Sequence, residues 1–241
     1  LSLLAEKMNT PVDIEFASDG KDLYLLQCRP QSSSEDSDAS IIPENIPVER
    51  LVFTARRYIS NGRVPDITHV VFVDPEKYNC LETIDALTGV GRAVSRLNNI
   101  LPRRSFILMG PGRWGSRGDI KLGVQVTYSD INNTAVLVEM AHRRGNYVPE
   151  LSFGTHFFQD LVESSIRYIP LYPDEAGVFF NEKFFTESMN ILPALLPEYA
   201  ALSDTIRVID INASTNGKII KIRMNADIDM AVAYIAEPNV A

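Results

Sequence analysis

A polar, acidic segment divides this chain into two unequal parts. Residues 31–40 have the sequence QSSSEDSDAS, and Pro43 and Pro47 follow it. This composition predicts a flexible linker over residues 32–47. A short piece, residues 1–31, precedes the linker, and residues 48–241 follow it. Because the second part has the length of one ordinary domain, we expect one α/β domain attached to a smaller, incomplete piece.

The short piece predicts a helix followed by a β-hairpin. Leu1, Leu4 and Met8 fall on one helical face, and residues 12–16 then alternate between apolar and polar. Residues 18–22, SDGKD, are typical of a turn, and residues 23–29 predict a second strand that ends at Pro30. An isolated hairpin is only marginally stable, so this one needs a larger sheet, which the rest of the chain does not necessarily supply.

The second part mixes strands and helices. Strands occur both in adjacent pairs and separated by helices, which favours an α/β fold of the α+β type, with helices packed on a mixed sheet. The predicted strands are residues 51–57, 68–73, 105–109, 122–128, 134–140, 167–171, 205–211 and 218–223. The last two are expected to pair around a turn at residues 214–217. The predicted helices are residues 81–101, 153–165, 182–192 and 227–235.

Charge and cysteine content restrict the partners and the compartment. A net charge of −8 argues against nucleic acid as the main partner, although a local basic loop can still hold a small phosphate. Cys28 and Cys80 form no CxxC pair, which indicates reduced thiols and a cytoplasmic protein. No apolar run is long enough to span a membrane. The first residue is Leu1, so we expect the natural chain to begin further upstream.

Two sequence segments in the short piece resemble a known family. Residues 11–17, PVDIEFA, and residues 23–30, LYLLQCRP, resemble the end of the nucleotide-binding domain of phosphoenolpyruvate synthase and pyruvate phosphate dikinase. Phe16 stands where that family usually has Trp. The resemblance implies an ATP-grasp fold for this part, with ATP and Mg²⁺ as cofactors. The region from Arg50 onward resembles the C-terminal domain of a divergent synthase-like group, for which no chemistry is known.

The resemblance also implies roles for individual hairpin residues. Strand alternation puts Asp13 and Glu15 on one face of the first strand, and Gln27 and Arg29 on one face of the second. Glu15 would then hold Mg²⁺ through its oxygens, Arg29 would neutralise phosphate charge, and Gln27 would orient a phosphate or a metal-bound water. The alternative is a surface hairpin with an ordinary cross-strand ion pair.

Two family features have no counterpart in the sequence. The phospho-acceptor histidine segment, Gly-Gly-x-x-(Ser/Thr)-His-Ala-Ala, is absent, and no eight-fold strand–helix repeat indicates a TIM barrel. From the resemblance we expect this chain to be the C-terminal part of a phosphoenolpyruvate synthase-like, ATP-dependent phosphotransferase of the pyruvate, water dikinase type. We expect it to be catalytically incomplete without upstream ATP-grasp subdomains. The alternative is a non-catalytic regulatory or interaction domain attached to an ATP-grasp kinase.

A glycine-rich loop in the second part is a candidate anion site. Residues 110–118, GPGRWGSRG, follow a buried strand, and glycines permit the backbone nests that bind anions. Trp114 could stack on a base or wall a pocket. The predicted phosphate-binding residues are Gly110, Gly112, Arg113, Trp114, Gly115, Ser116 and Arg117. Alternatively, this is a structural loop whose arginines pair with carboxylates.

A second loop, residues 149–156 or PELSFGTH, leads directly into a predicted helix. A helix N-terminus attracts anions, so Thr155 joins the predicted phosphate-binding residues and His156 is a candidate to act on or accept phosphate. The alternative is a capped helix with an ordinary histidine. Asp74 and Glu139 lie at or near predicted strand ends, which makes them candidates for metal or polar contacts. The alternative is that each caps an element or pairs with a loop arginine. The expected ligand is a small anion: a nucleotide, phosphate, pyruvate or phosphoenolpyruvate.

Overall fold

The computed structural model describes residues 2–8, 12–30, 39–116, 120–143 and 148–238. The chain divides into two units, residues 1–35 and 36–241, and the boundary falls inside the predicted linker. Ser40 exchanges hydrogen bonds with Met224 and Asn225, so the described part of that linker packs on the second unit at this point. Within the described segments, no helix has both the length and the apolar character that a membrane crossing requires.

The first unit is a short helix and a hairpin, as expected. Helix α1 spans Ser2–Met8, and strands β1 (Val12–Ser18) and β2 (Leu23–Pro30) pair antiparallel. Asp19 accepts the backbone N–H groups of Lys21 and Asp22 at 2.9 Å each, which closes the turn. A β-bulge follows Glu15 and shifts the register of the two strands.

The second unit contains two sheets. Its strands are β3 (Leu51–Ala55), β4 (Gly62–Arg63), β5 (His69–Val73), β6 (Phe106–Pro111), β7 (Val136–Met140), β8 (Arg167–Leu171), β9 (Ile206–Asp210), β10 (Ile219–Asn225) and β11 (Met230–Ala236). Its helices are α2 (Pro75–Asn79), α3 (Ile84–Ile100), α4 (His156–Glu163), α5 (Glu182–Glu187), α6 (Leu192–Leu195) and α7 (Ile211–Ser214). The five-stranded sheet has the order β8-β7-β6-β5-β9, and the four-stranded sheet has the order β3-β11-β10-β4.

The five-stranded sheet forms the middle layer of the second unit. Strands β5 to β8 run parallel and β9 runs antiparallel to β5, which confirms the mixed α/β fold class. Val70 and Phe72 pack in one core cluster with the four-stranded sheet, whereas Val71 and Val73 pack in the other with α3. Because both faces are covered, these strands are continuous apolar runs rather than alternating ones.

Two predictions at the end of the chain are wrong. Residues 227–235 do not form a helix: strand β11 occupies this region and pairs with both β10 and β3. The stretch is rich in alanine, but pairing on two sides overrides helix propensity. The predicted pairing of residues 205–211 with 218–223 is also absent, because β9 and β10 belong to different sheets.

Two further predicted elements are broken by local side-chain hydrogen bonds. Residues 122–128 are not a strand, and their one strand-like contact is an isolated bridge between Gly123 and Gly112. Thr127 forms a capping box with Asp130 and begins a 3₁₀ turn there. The predicted helix over residues 182–192 ends at Glu187. The side chain of Asn190 bonds to four backbone groups, and this holds the chain in a turn before α6.

Candidate functional site

The hairpin of the first unit aligns its four predicted positions. The register pairs Glu15 with Gln27 and Asp13 with Arg29, so all four positions lie on one face. Glu15 is exposed and Gln27 is half-buried, whereas the side chains of Asp13 and Arg29 lie outside the described residues. Glu15 and Gln27 therefore place two oxygen donors at opposite positions.

Those two donors fit a partial magnesium site. Mg²⁺ usually takes one or two protein oxygens and completes its shell with water and substrate phosphates. No cluster of three or more His, Cys, Asp or Glu side chains that could hold a metal was found among the described residues. The hairpin could therefore contribute ligands to a Mg²⁺–phosphate complex, but it does not enclose a metal ion by itself.

The backbone amides of the glycine-rich loop are occupied by acceptors within the protein. The N–H groups of residues 112–115 donate, in order, to Met140 O (2.8 Å), Leu122 O (2.9 Å), Glu139 Oε1 (2.8 Å) and Val124 O (3.4 Å). Because each amide already has a partner, these four are not available to an external anion. This corrects the predicted phosphate nest at Gly112, Arg113, Trp114 and Gly115.

Trp114 belongs to the core and not to a ligand surface. Its side chain is 0% exposed and packs in the same cluster as α3. A Cβ at Gly110 would lie 2.8 Å from the indole ring, so the glycine there makes room for Trp114. The suggestion that Trp114 stacks on a base is wrong, because no face of the ring reaches solvent.

The remaining residues of this loop have different environments. The guanidinium of Arg113 lies 3.8 Å from the Glu150 carboxylate, and both side chains are partly or largely exposed. That distance supports the alternative in which a loop arginine pairs with a carboxylate, although such exposed pairs contribute little stability. Ser116 is half-buried. Arg117 lies outside the described residues.

Glu139 is the anion that the glycine-rich loop encloses. Its side chain is completely buried at the end of β7 and accepts four hydrogen bonds. The donors are Trp114 N (2.8 Å), Ser152 N (2.6 Å), Ser152 Oγ (2.5 Å) and Tyr168 Oη (2.7 Å). Burial raises the pKa of Glu139 from its ordinary value of 4.5 to about 7, while the hydrogen bonds act in the opposite direction. The sequence indicated only a polar residue near a strand end.

The second predicted loop lies beside the first one. The Ser152 hydroxyl lies 3.1 Å from Trp114 O, so the two loops are in contact, and a Cβ at Gly115 would come within 2.6 Å of the Phe157 ring in α4. Thr155 caps α4, since its hydroxyl accepts the Phe158 N–H at 3.3 Å and donates to Ser152 O at 2.6 Å. His156 is exposed at the start of α4. Asp74 is likewise a cap, of α2.

A crevice opens where the parallel strands end. Its volume is about 340 Å³, and it is lined by residues at or just after the carboxyl ends of β5, β6, β7 and β8. In open α/β sheets this is the edge at which ligands bind. The polar lining residues are Glu76, Asn79, Lys121, His142, Arg143 and Asp174.

Asp174 organises the charged side of this crevice. Its Oδ2 accepts the Arg143 backbone N–H at 2.7 Å and lies 3.8 Å from His142 Nδ1. These contacts hold the segment that directly follows β7 at residues 142 and 143, and the Arg143 side chain is exposed. Sequence reasoning missed these residues. The available signal was that His142 and Arg143 directly follow a buried strand.

Comparisons with known proteins give one match. A family model described as "Pyruvate phosphate dikinase, AMP/ATP-binding domain" matches residues 1–50. The matched segment covers the helix, the hairpin and the predicted linker, and this part of the chain is therefore similar to an ATP-binding domain of that family. Neither the comparison with curated proteins nor that with solved structures gave a significant match.

Proposed function

We propose that this chain is part of an ATP-dependent phosphotransferase of the phosphoenolpyruvate synthase type, with pyruvate as acceptor. The observation that carries the proposal is the match of residues 1–50 to an AMP/ATP-binding domain. The hairpin register supports it, because Glu15 and Gln27 lie opposite each other as the roles of metal ligand and phosphate-orienting residue require. The second unit would bind a small anionic ligand.

The proposed roles of the hairpin residues follow from their chemistry. Bound Mg²⁺ would neutralise phosphate charge, and the Glu15 carboxylate would hold it. The Gln27 amide would orient a phosphate oxygen or a water, and Arg29 would donate to phosphate. Because the phospho-acceptor histidine segment is absent from the sequence, the phosphate relay of that enzyme type would need residues outside these 241.

Paramagnetic broadening tests the hairpin at the level of single residues. Mn²⁺ shares the oxygen ligands of Mg²⁺ and broadens nearby NMR signals. With ATP and Mn²⁺ added to the ¹⁵N-labelled protein that carries the phosphotransferase activity, we expect the amide signals of Glu15 and Gln27 to broaden. Glu15→Gln should abolish the effect, whereas Asp22→Asn, an exposed acid of the same hairpin, should preserve it. Equal broadening in Glu15→Gln, or none at the hairpin, would contradict the proposal.

A second candidate function has its own supporting observation. The amides of residues 112–115 are bonded within the protein, which favours a regulatory or interaction domain with purely structural loops. Arg113→Ala and His156→Ala distinguish the two candidates in the protein that carries the phosphotransferase activity. Lost turnover with unchanged thermal stability supports a chemical role for these loops. Unchanged turnover supports the non-catalytic domain.

A further inference from the structure

We infer that the crevice at the carboxyl ends of β5 to β8 is a binding site for a small oxyanion, a carboxylate or a phosphate, with Arg143 and His142 as its main contacts. This inference rests on the proposed anion-binding function of the second unit and gives that function a location. Among the described residues from which the sequence predicted phosphate binding, Gly112 alone lines this crevice.

The crevice contains cationic groups that a small anion can contact. Lys121, His142 and Arg143 supply basic groups and Glu76 and Asp174 are acids, so with a neutral histidine the charges of the described lining balance. Asp174 is already engaged by the Arg143 backbone and by the approach of His142. The Arg143 guanidinium therefore gives a small anion a local positive charge, although the lining as a whole is not basic.

The side chains provide suitable donors. The Arg143 guanidinium can bind a carboxylate or phosphate through two parallel hydrogen bonds, a geometry that a lysine cannot supply. The Nδ1 atom of His142 lies on the Asp174 side, 3.8 Å away, so Nε2 is the ring atom left for a ligand, and it donates when the ring carries both protons. Asp174 also holds the backbone of residue 143 by accepting its N–H.

The volume limits the size of the ligand. Ligand pockets usually measure roughly 300–1,000 Å³, and this crevice is near the lower limit at about 340 Å³. Space of this size accommodates a small anion with its bound water. We assign the small anion to this crevice and the nucleoside triphosphate to the hairpin.

Isothermal titration calorimetry of the full chain tests the location. Pyruvate and inorganic phosphate serve as separate probes, at one ionic strength maintained with sodium chloride. We expect one equivalent of at least one probe to bind, and the preferred probe distinguishes a carboxylate from a phosphate ligand. Arg143→Ala should weaken binding about tenfold to a hundredfold, because it removes a charged hydrogen-bond donor. His142→Gln should weaken it less, since the amide can still donate.

Arg103→Ala is the matched control. Arg103 is an exposed arginine just before β6, at the opposite edge of the same sheet, so the charge change is the same. It should leave the affinity within about twofold if the site is local, because distant exposed charges are screened by salt. Equal losses of affinity in Arg143→Ala and Arg103→Ala would overturn the crevice as the site. Unchanged affinity in both His142→Gln and Arg143→Ala would do the same. Either result would leave the anion-binding function of the second unit intact. No binding of either probe would overturn both, while the Mn²⁺ test at the hairpin stands separately.

Discussion

The glycine-rich loop and the crevice beside it differ in how their polar groups are used. In the loop, four consecutive amides donate to acceptors inside the protein, and one of these acceptors is the buried carboxylate of Glu139. In the crevice, the Arg143 side chain is exposed and lines an open space. The glycines in this motif allow the backbone to pass close to neighbouring atoms, and a motif of this kind does not by itself indicate a ligand-binding site. The residues with capacity for a ligand carry no motif.

Changes in the loop should therefore cost stability, and changes in the crevice should cost binding. The largest effect is expected for Gly112→Ala. An added Cβ would lie 1.7 Å from the backbone oxygen of Leu122, and φ at this residue is +63°. Both the clash and the left-handed backbone oppose alanine, so we expect roughly 3 kcal/mol or more of lost unfolding free energy, measured in urea.

Gly154→Ala separates the cost of the steric clash from the cost of the left-handed backbone conformation. Gly154 also has a positive φ, +78°, but nothing lies within 4 Å of the added Cβ. Only the left-handed conformation opposes alanine there, and the expected loss is about 1–2 kcal/mol. Equal losses at the two glycines would show that the contact between Gly112 and Leu122 is not a fixed feature of the loop.

The next effect is a pH dependence that arises at Glu139. Its pKa is raised from 4.5 in the unfolded chain to about 7 in the folded one, so between these values the native state holds a proton that the unfolded state has released. Stability contributed by Glu139 is therefore complete below pH 4.5 and is lost as pH rises through 7. The difference in unfolding free energy between the parent and Glu139→Gln should change by roughly 3 kcal/mol across this window.

Denaturant unfolding of both proteins at several pH values measures this difference. All other titrating groups are common to the pair, so the subtraction isolates Glu139. A difference that stays constant from acid to neutral pH would mean that burial does not shift the pKa of Glu139, and it would contradict the account.

A smaller loss is expected for Ser152→Ala. The Ser152 hydroxyl donates to Glu139 Oε1 at 2.5 Å, and its oxygen lies 3.1 Å from Trp114 O. Removing it leaves a buried carboxylate with one donor fewer, which should cost about 1–3 kcal/mol of unfolding free energy. Ser203→Ala is the control, since that hydroxyl bonds only to Ala200 O in an exposed turn. Equal effects of the two substitutions would contradict a special role for the Glu139 cluster.

The smallest effect is predicted for Arg113→Ala. Its guanidinium is partly exposed and 3.8 Å from an exposed glutamate, so its loss should change stability by less than about 1 kcal/mol. Affinity for pyruvate or phosphate, measured by calorimetry, should also be unchanged. A large loss of affinity would indicate that the anion binds at the glycine-rich loop and not in the crevice.

The sequence predicted most strands of the second unit, because fully buried strands are long apolar runs that local pattern can recognise. Residues 230–236 were mistaken for a helix, since their pairing with β10 and β3 depends on segments far away in the sequence. The hairpin was predicted from local alternation and turn residues. Its register was not, because a bulge after Glu15 is invisible to an alternating pattern.

The two clusters of the second unit could not be predicted for a different reason. Glu139 meets Trp114, Ser152 and Tyr168 through strand order, and the sequence does not state which strands are neighbours. The crevice collects residues from four separate loops, and Asn79 and Asp174 are 95 positions apart along the chain. Charge and spacing along the chain therefore carry no signal that these residues share one edge.

A phosphate titration followed by proton–nitrogen NMR compares loop and crevice most directly. Inorganic phosphate is added to the ¹⁵N-labelled chain at constant ionic strength, and the amide shifts of each region are followed. We predict that the amides of His142 and Arg143 move in a saturable way, while those of Trp114 and Gly115, bonded to Glu139 and Val124, stay in place. Saturable shifts at Trp114 and Gly115, with none at His142 and Arg143, would contradict this division of roles.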